Sequence, residues 1–333
     1  MKPYAAYAIG AALVDTEIQV TDAELAAMNV EKGMMTLVDQ ARQRDMLTTL
    51  SDHLIRANHA SGGSAGNSMI ATAMMGAPTY MSCKVAQDAD GDIYLADLEQ
   101  SGVVHGLTER STDGVTGKCI VLITPDAERS LNTHLGISET LSTDEVDEAA
   151  IKGSEWIYLE GYLVTSPSGH AAALKTKALA EAHGVKTAVS FSDPGMVKFF
   201  RDNMAAMVEG GVELVFSNES EALEWGQCDD LDAAIEAIKS VARRFVITLG
   251  ADGAVTWDGE TLHRVAAKPV EAVNTNGAGD MFAGAFLYAL SRGESDLRAT
   301  EYATLAAGEV VKYFGPRLER DACLALRRQF FGD

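Results

Sequence analysis

Basic residues are scarce in this chain of 333 residues: 27 lysines and arginines stand against 48 aspartates and glutamates, a formal net charge of −21. So acidic a surface repels nucleic acid and anionic membranes, and neither is expected as a partner. Cysteine is scarcer still, and Cys83, Cys119, Cys228 and Cys323 are irregularly spaced. With no C-x-x-C pair, neither a thiolate zinc site nor a disulfide framework is indicated, and reduced thiols in the cytoplasm are the simplest account. Long apolar runs are also missing, since nothing approaches the roughly 18 uninterrupted residues of a membrane span. The mostly apolar run Tyr4–Val14 behind Lys2 could pass for a short secretory leader. It ends in Asp15 without a convincing cleavage site, and a buried strand explains it better.

Hydrophobic content of 47% is enough for a large core. The run Tyr4–Val14 predicts one continuous strand covered on both faces, with Asp15 at its end and a half-exposed strand over Thr16–Val20. A helical pattern spans Val38–Ile55, and a helix of small residues spans Ser68–Met75. Strand Pro78–Val85 and helix Gly91–Ser101 follow, and then Thr116–Thr124 and Arg129–Thr133 as strands of a separate, more exposed sheet. From there helices and strands alternate: Thr143–Ile151 with Trp156–Leu159, Ser168–Ala182 with Thr187–Ser190, Met196–Val208 with Leu214–Ser217, and Leu231–Ala242 with Phe245–Leu249. A hairpin, Ala254–Trp257 and Leu262–Val265, turns at Asp258-Gly259, and helices Ala278–Ser291 and Leu297–Phe314 finish the chain. Such alternation implies an α/β fold, a mostly parallel sheet with helices on both faces, in one domain over 1–333. Strands from about 16–50 and 108–136 form a small appended sheet.

The chain is organised around Asn274-Thr275-Asn276-Gly277-Ala278-Gly279-Asp280, after which an alanine-rich apolar run begins. Small residues let a backbone approach a bulky ligand, and a helix start offers free N–H groups and a positive dipole end, as a phosphate requires. An acid beside a phosphate cradle is awkward unless it takes the proton of an attacking hydroxyl. A Gly-rich turn capping an ordinary helix is the plain alternative. Other candidates fall after predicted strands, where α/β folds carry ligands: Asp15, the pair Gly62-Gly63 with Asn67, Asn218 with Glu221, and Gly250 with Gly253. Singly they read as a turn acid, a helix start or a capping box. Together they are harder to dismiss.

These residues carry a resemblance. Gly62-Gly63-Ser64-Ala65-Gly66-Asn67, continuing to Lys84-Val85 and Asp90-Gly91, is similar to the N-terminal signature of the ribokinase-like PfkB carbohydrate and nucleoside kinases. Thr275–Gly284 is similar to their C-terminal signature, in the right order and separation. Softer matches in Lys32–Val38, Thr124–Gly136, Leu159–Leu163 and Ser217–Ala222 resemble the adenosine kinases within that family. The resemblance implies a ribokinase-like fold with a small β-sheet lid, and ATP-dependent transfer to the 5′-hydroxyl of a nucleoside. Asp280 would be the base, and Gly277, Ala278 and Gly279 the anion hole. Asp15, Gly62, Gly63 and Asn67 would hold the acceptor's ribose, with Arg129 as a phosphate or lid contact and Tyr162 beside the base. Asn218 and Glu221 would position Mg2+ through water, and Thr248, Gly250, Gly253 and Ala307 would border ATP.

The family's usual Asp is Asn274 here, which predicts a weakened monovalent-cation site and weaker potassium activation. Ala11 also stands where adenosine kinases commonly have asparagine, and Met196 is the candidate second wall for the base. A kinase for ribose, fructose or a sugar acid is the nearest rival, and a non-catalytic nucleoside-binding protein a more distant one. A nicotinamide dehydrogenase lacks its G-x-G-x-x-G after the first strand. A monomer or homodimer is expected.

Overall fold

The computed structural model describes residues 2–53 and 58–332. Its strands, in chain order, are β1 (Tyr4–Ile9), β2 (Leu13–Gln19), β3 (Met35–Leu37), β4 (Asn58–Gly62), β5 (Thr79–Ser82), β6 (Val103–Val104), β7 (Gly117–Ile123), β8 (Arg129–His134), β9 (Ser154–Glu160), β10 (Lys186–Ser190), β11 (Val212–Asn218), β12 (Ala242–Thr248), β13 (Ala254–Trp257) and β14 (Leu262–Val265). Nine form the large sheet in the order β14-β13-β12-β11-β10-β9-β1-β5-β6, parallel except for the hairpin at the β14 edge. The other five form the small sheet β3-β8-β7-β2-β4.

Side-chain alternation along the central strands explains their continuous apolarity. Ala6 and Ala8 of β1, with Trp156 and Tyr158 of β9, face one core with helices Ser64–Met74 and Ala278–Ser291. Tyr7, Ile9, Ile157 and Leu159 face the other, under Pro167–Ala182 and Arg201–Val208. Both faces of a parallel sheet are covered, so no polar stripe marks either one.

The predicted strand Tyr4–Val14 is two strands in two sheets, and this is the main correction to the sequence reading. The chain leaves the large sheet at Gly10, whose Cβ would lie 2.6 Å from Glu160 Oε1 and 2.7 Å from the Ala65 Cβ. The next N–H groups leave the ladder: that of Ala11 donates to Glu160 Oε1 (2.9 Å) and that of Ala12 to Ser138 Oγ (3.1 Å). Since both strands are buried, apolarity runs unbroken through the handover. Asp15 therefore does not end the first strand but lies within β2, between Ala60 of β4 and Cys119 of β7. The predicted half-exposed strand Thr16–Val20 is its continuation, with Glu17, Ile18 and Val20 buried.

Smaller differences have local causes. Helix Met196–Val208 breaks at Phe200 (φ −122°, ψ 34°) into Pro194–Phe199 and Arg201–Val208. The helix predicted over Leu231–Ala242 stops at Lys239, and Ala242 already opens β12. That over Thr143–Ile151 shrinks to Glu148–Lys152. The Val38–Ile55 pattern forms a helix over Gln40–Thr49, and its last two residues lie outside the described part of the chain. Helices Asp22–Ala27 and Arg320–Phe331 were not anticipated. Among the described residues, no helix is long and apolar enough to cross a membrane.

Candidate active site

Two helix N-termini meet at the carboxyl ends of β1 and β9, and small residues bring them together. At Gly284 of helix Ala278–Ser291, a Cβ would lie 2.6 Å from the Ala71 Cβ and 2.6 Å from the Ser68 carbonyl oxygen of helix Ser64–Met74. The Thr72 hydroxyl donates to the Gly284 carbonyl at 2.9 Å. The alanine-rich run behind the Gly277–Asp280 turn is thus a close helix–helix contact, and its result is to place both helix starts at one point.

Neither start is capped by the side chain of its own N-cap residue, since both are glycine. Gly63 precedes the first helix at φ +84°, where a Cβ would lie 2.3 Å from the Ala11 carbonyl oxygen. Gly277 precedes the second at φ +73°, where a Cβ would lie 1.9 Å from the Pro316 carbonyl oxygen. Glycine is required at both, for conformation and for space. Around Gly279, by contrast, nothing lies within 4 Å of a Cβ position, so that backbone is open to a ligand. A helix start lined by Gly277, Ala278 and Gly279 and lacking a side-chain cap leaves N–H groups free, an arrangement able to take an anion.

Asp280, in the first turn of that helix, is gripped by residues of the other helix. Its Oδ1 accepts from Ser64 Oγ at 2.7 Å and its Oδ2 from Asn67 Nδ2 at 3.0 Å. Burial raises this carboxyl above the usual range, while these two bonds and the charges of Arg129 and Arg317 pull it back. Asp15, 5% exposed, is pushed up to about 7 by burial, with nearby Glu17 adding to the rise and Arg317 opposing it. At Gly62 a Cβ would lie 2.1 Å from the Asp15 carboxylate, so glycine there is what leaves the acid room.

One cleft of about 700 Å³ collects nearly all the anticipated residues: Asp15, Gly63, Asn67, Arg129, Tyr162, Asn218, Glu221, Thr248, Gly250, Gly253, Gly277, Ala278, Gly279, Asp280 and Ala307. Gly62 and Asn274 are not on its wall; Gly62 stands behind Asp15, and Asn274 is fully buried. Among the described residues, Arg129, at the start of β8, has one ion pair, a loose one with Glu128 at 3.9 Å. It lines the cleft, and its charge lowers the carboxyls of Asp280, Glu221 and Asp193 against their burial. Tyr162 fixes its hydroxyl on the Ser192 carbonyl at 3.1 Å. Met196 is a core residue under the large sheet and gives no second wall for a base. Leu13, Met35, Leu37 and Leu131 of the small sheet line the cleft, with Leu135 just after β8 and with Phe216 and Phe282.

At the other end, β11 runs into a reciprocal capping box. Asn218 Oδ1 accepts from the Glu221 N–H at 2.8 Å, and Glu221 Oε2 from the Asn218 N–H at 2.9 Å. Asn218 Nδ2 donates to Glu221 Oε1 at 2.7 Å, and burial lifts Glu221 to about 7. Among the described residues, no cluster of three or more His, Cys, Asp or Glu is placed to hold a metal ion. Glu221 lines the cleft as a carboxylate whose two oxygens are both engaged by Asn218. Gly253 (φ +98°) packs its backbone where a Cβ would lie 2.0 Å from the Val265 carbonyl oxygen, whereas at Gly250 nothing lies within 4 Å.

Two site residues escaped the sequence reading. Glu160, at the end of β9, accepts the Ala11 N–H through Oε1 and the Ala65 N–H (2.7 Å) through Oε2, tying the sheet crossover to the first helix. Arg317 donates through Nη1 to Ser61 Oγ (2.8 Å) and Asn67 Oδ1 (3.2 Å), and through Nη2 to Asp97 Oδ2 (2.5 Å). It orients the amide that in turn holds Asp280. The only hint of this was an arginine after Gly315-Pro316 in an acidic chain.

The pfkB family carbohydrate kinase model matches residues 33–323. Adenosine kinase of Saccharomyces cerevisiae is 27% identical over 92% of this chain and 95% of its own length. The solved adenosine kinase of Sinorhizobium meliloti is 32% identical, with TM-score 0.92 over 98% of this chain and 99% of that one. A probable sugar kinase from Rhizobium etli is 31% identical, with TM-score 0.93 over 100% and 99%. These likenesses extend over both sheets.

Proposed function

The chain belongs to the pfkB family of carbohydrate kinases, and we propose that within it this protein transfers the γ-phosphoryl group of ATP to the 5′-hydroxyl of a nucleoside, adenosine foremost. The observation that carries the reading is Asp280, held by Ser64 and Asn67 in the first turn of an uncapped helix that opens into the shared cleft.

The acceptor's sugar hydroxyls lie against Asp15, Asn67 and the Gly63 backbone. This sets the primary hydroxyl before Asp280, whose carboxylate accepts the proton as oxygen attacks phosphorus. The Gly277–Gly279 N–H groups and the helix dipole stabilise charge on the transferred group without reorganising. Asn218 and Glu221 would hold the water shell of a magnesium ion carried by the phosphates, which would supply neutralisation of their charge. Arg129 brings the small sheet's positive charge to the same point, so closure of that sheet both excludes water and completes the electrostatics. Localisation in the cytoplasm is part of the same reading.

The aliphatic wall of the small sheet supports a nucleoside, since a bare sugar would leave Leu13, Leu131 and Leu135 against water. Met196, the expected partner of Tyr162 across a base, lies in the core, which favours a sugar kinase as the second reading. A panel of nucleosides and sugars with labelled ATP and magnesium separates them. Adenosine should be phosphorylated; transfer to ribose or fructose but not to adenosine overturns the nucleoside assignment.

A further inference from the structure

The segment leading into the Gly277 turn is held from behind by a carboxylate that the reaction above does not use. Glu17 lies in β2, two residues beyond Asp15 and so on the same face of the strand. It is 2% exposed, and its oxygens are met by three N–H groups. Oε1 accepts from Asn274 Nδ2 at 3.1 Å and from Asn276 Nδ2 at 2.9 Å, and Oε2 accepts from the Gly315 N–H at 2.8 Å. These donors come from the two segments that enclose the turn. Residues 274–276 run straight into Gly277, and Gly315 precedes Pro316, whose carbonyl packs on Gly277.

Asn274 is engaged on its other side as well. Its Oδ1 accepts the Asn276 N–H at 2.8 Å, and the Val273 and Asn274 N–H groups share the Val311 carbonyl at 2.8 and 3.1 Å. A potassium ion behind the anion hole needs inward-facing oxygens. Here two amide nitrogens point at Glu17, and the amide oxygen of Asn274 is turned to a backbone N–H. The amides of Asn274 and Asn276 therefore offer such an ion no free inward-facing oxygen.

We propose that Glu17 is a positioning residue for the Gly277–Gly279 turn, and that its bonds to Asn274, Asn276 and Gly315 do the bracing a bound monovalent cation would otherwise do, so that this kinase works without potassium. Hydrogen bonds to an ionised acceptor are roughly twice as strong as neutral ones, and a buried carboxylate is stable only when so satisfied. The inference rests on the kinase reading and on the anion-hole role of the turn.

The test compares potassium chloride with tetramethylammonium chloride at equal ionic strength. Wild-type Tm should agree within about 1 °C between the salts, and kcat within about twofold. In Glu17→Gln the new NH2 group must oppose one of the three donors. Its kcat should fall about tenfold or more while the acceptor KM stays within about threefold, the pattern of a lost transition-state contact. Asn274→Asp sets a second carboxylate against Glu17 and should make both Tm and kcat rise with potassium. The double variant Glu17→Gln/Asn274→Asp returns one carboxylate to the cluster and should recover most of the lost kcat. Wild-type Tm or kcat that climbs with potassium overturns the proposal, as does a folded Glu17→Gln with unchanged kcat. The melting comparison needs neither acceptor nor variant, so it decides the point if Glu17→Gln fails to fold. Equal melting in both salts with no transfer to any acceptor instead indicts the kinase reading.

Discussion

Replacing Asp280 by asparagine should abolish turnover and leave the fold as stable as before, or more so. The two halves of that statement come from different observations. As the base, Asp280 contributes about 10²–10⁴ to the rate, or about 3–5 kcal/mol of transition-state free energy. As a structural element it is a liability, because burial raises its carboxyl and its ionised form carries a desolvation penalty at neutral pH. Asparagine removes that penalty and keeps both hydrogen bonds. Its oxygen can accept from Asn67 Nδ2, and its NH2 can donate to the Ser64 hydroxyl, which rotates to receive it. The assay is ADP release with the best acceptor of the panel, beside thermal unfolding and adenosine binding by calorimetry. We expect kcat reduced at least about 100-fold, Tm no more than about 2 °C below wild type, and binding retained. A kcat within about tenfold of wild type refutes Asp280 as the base. A large fall in Tm refutes the account of how it is held.

Further predictions follow from the same geometry. Gly277→Ala forces a Cβ to 1.9 Å from the Pro316 carbonyl at φ +73°; it should cost about 2–4 kcal/mol by chemical denaturation and lower kcat more than it raises KM. Arg317→Met leaves partly exposed Asp97 with the Ser61 hydroxyl but no cation, and releases Asn67, so stability should drop by about 1.5–3 kcal/mol. Because Arg317 lowers both Asp15 and Asp280, the acid limb of kcat/KM should also move to higher pH; a profile unchanged in position contradicts its electrostatic role. Wild type should already lose kcat/KM as pH falls through the raised Asp280 value, above the ordinary carboxylate range near 4. Stability of the free protein should run the other way. Asp15, Glu160 and Glu221, each raised to about 7, bind protons more tightly folded than unfolded. Their contribution is fully present below the unfolded value and lost as pH rises to about 7, so Tm should increase from about pH 8 to about pH 6 before acid unfolding begins.

Much of the site was legible because its constraints are local. The Gly277–Asp280 turn, the Gly62–Asn67 turn and the Asn218–Glu221 capping box each carry their geometry within a few residues. The alternation after residue 150 and the hairpin at Ala254–Val265 were equally plain, because periodicity and turn chemistry act over short spans. The main loss in the fold has one physical origin. Where a strand is buried in either of two sheets, hydropathy cannot say which, so the handover at Gly10–Ala12 and the place of Asp15 in β2 stayed hidden.

By itself, then, the sequence determined the α/β architecture, the two glycine turns and the acid that follows the second. Only the tertiary structure decided how they combine. It packs Gly284 on Ala71 so that two helix starts converge, and turns Ser64 and Asn67 onto Asp280. It also brings Arg317 from 250 residues away to hold Asn67, and sets Glu17 behind the turn against Asn274 and Asn276. Those contacts join residues far apart in the chain, and no local propensity encodes a distance that only packing closes.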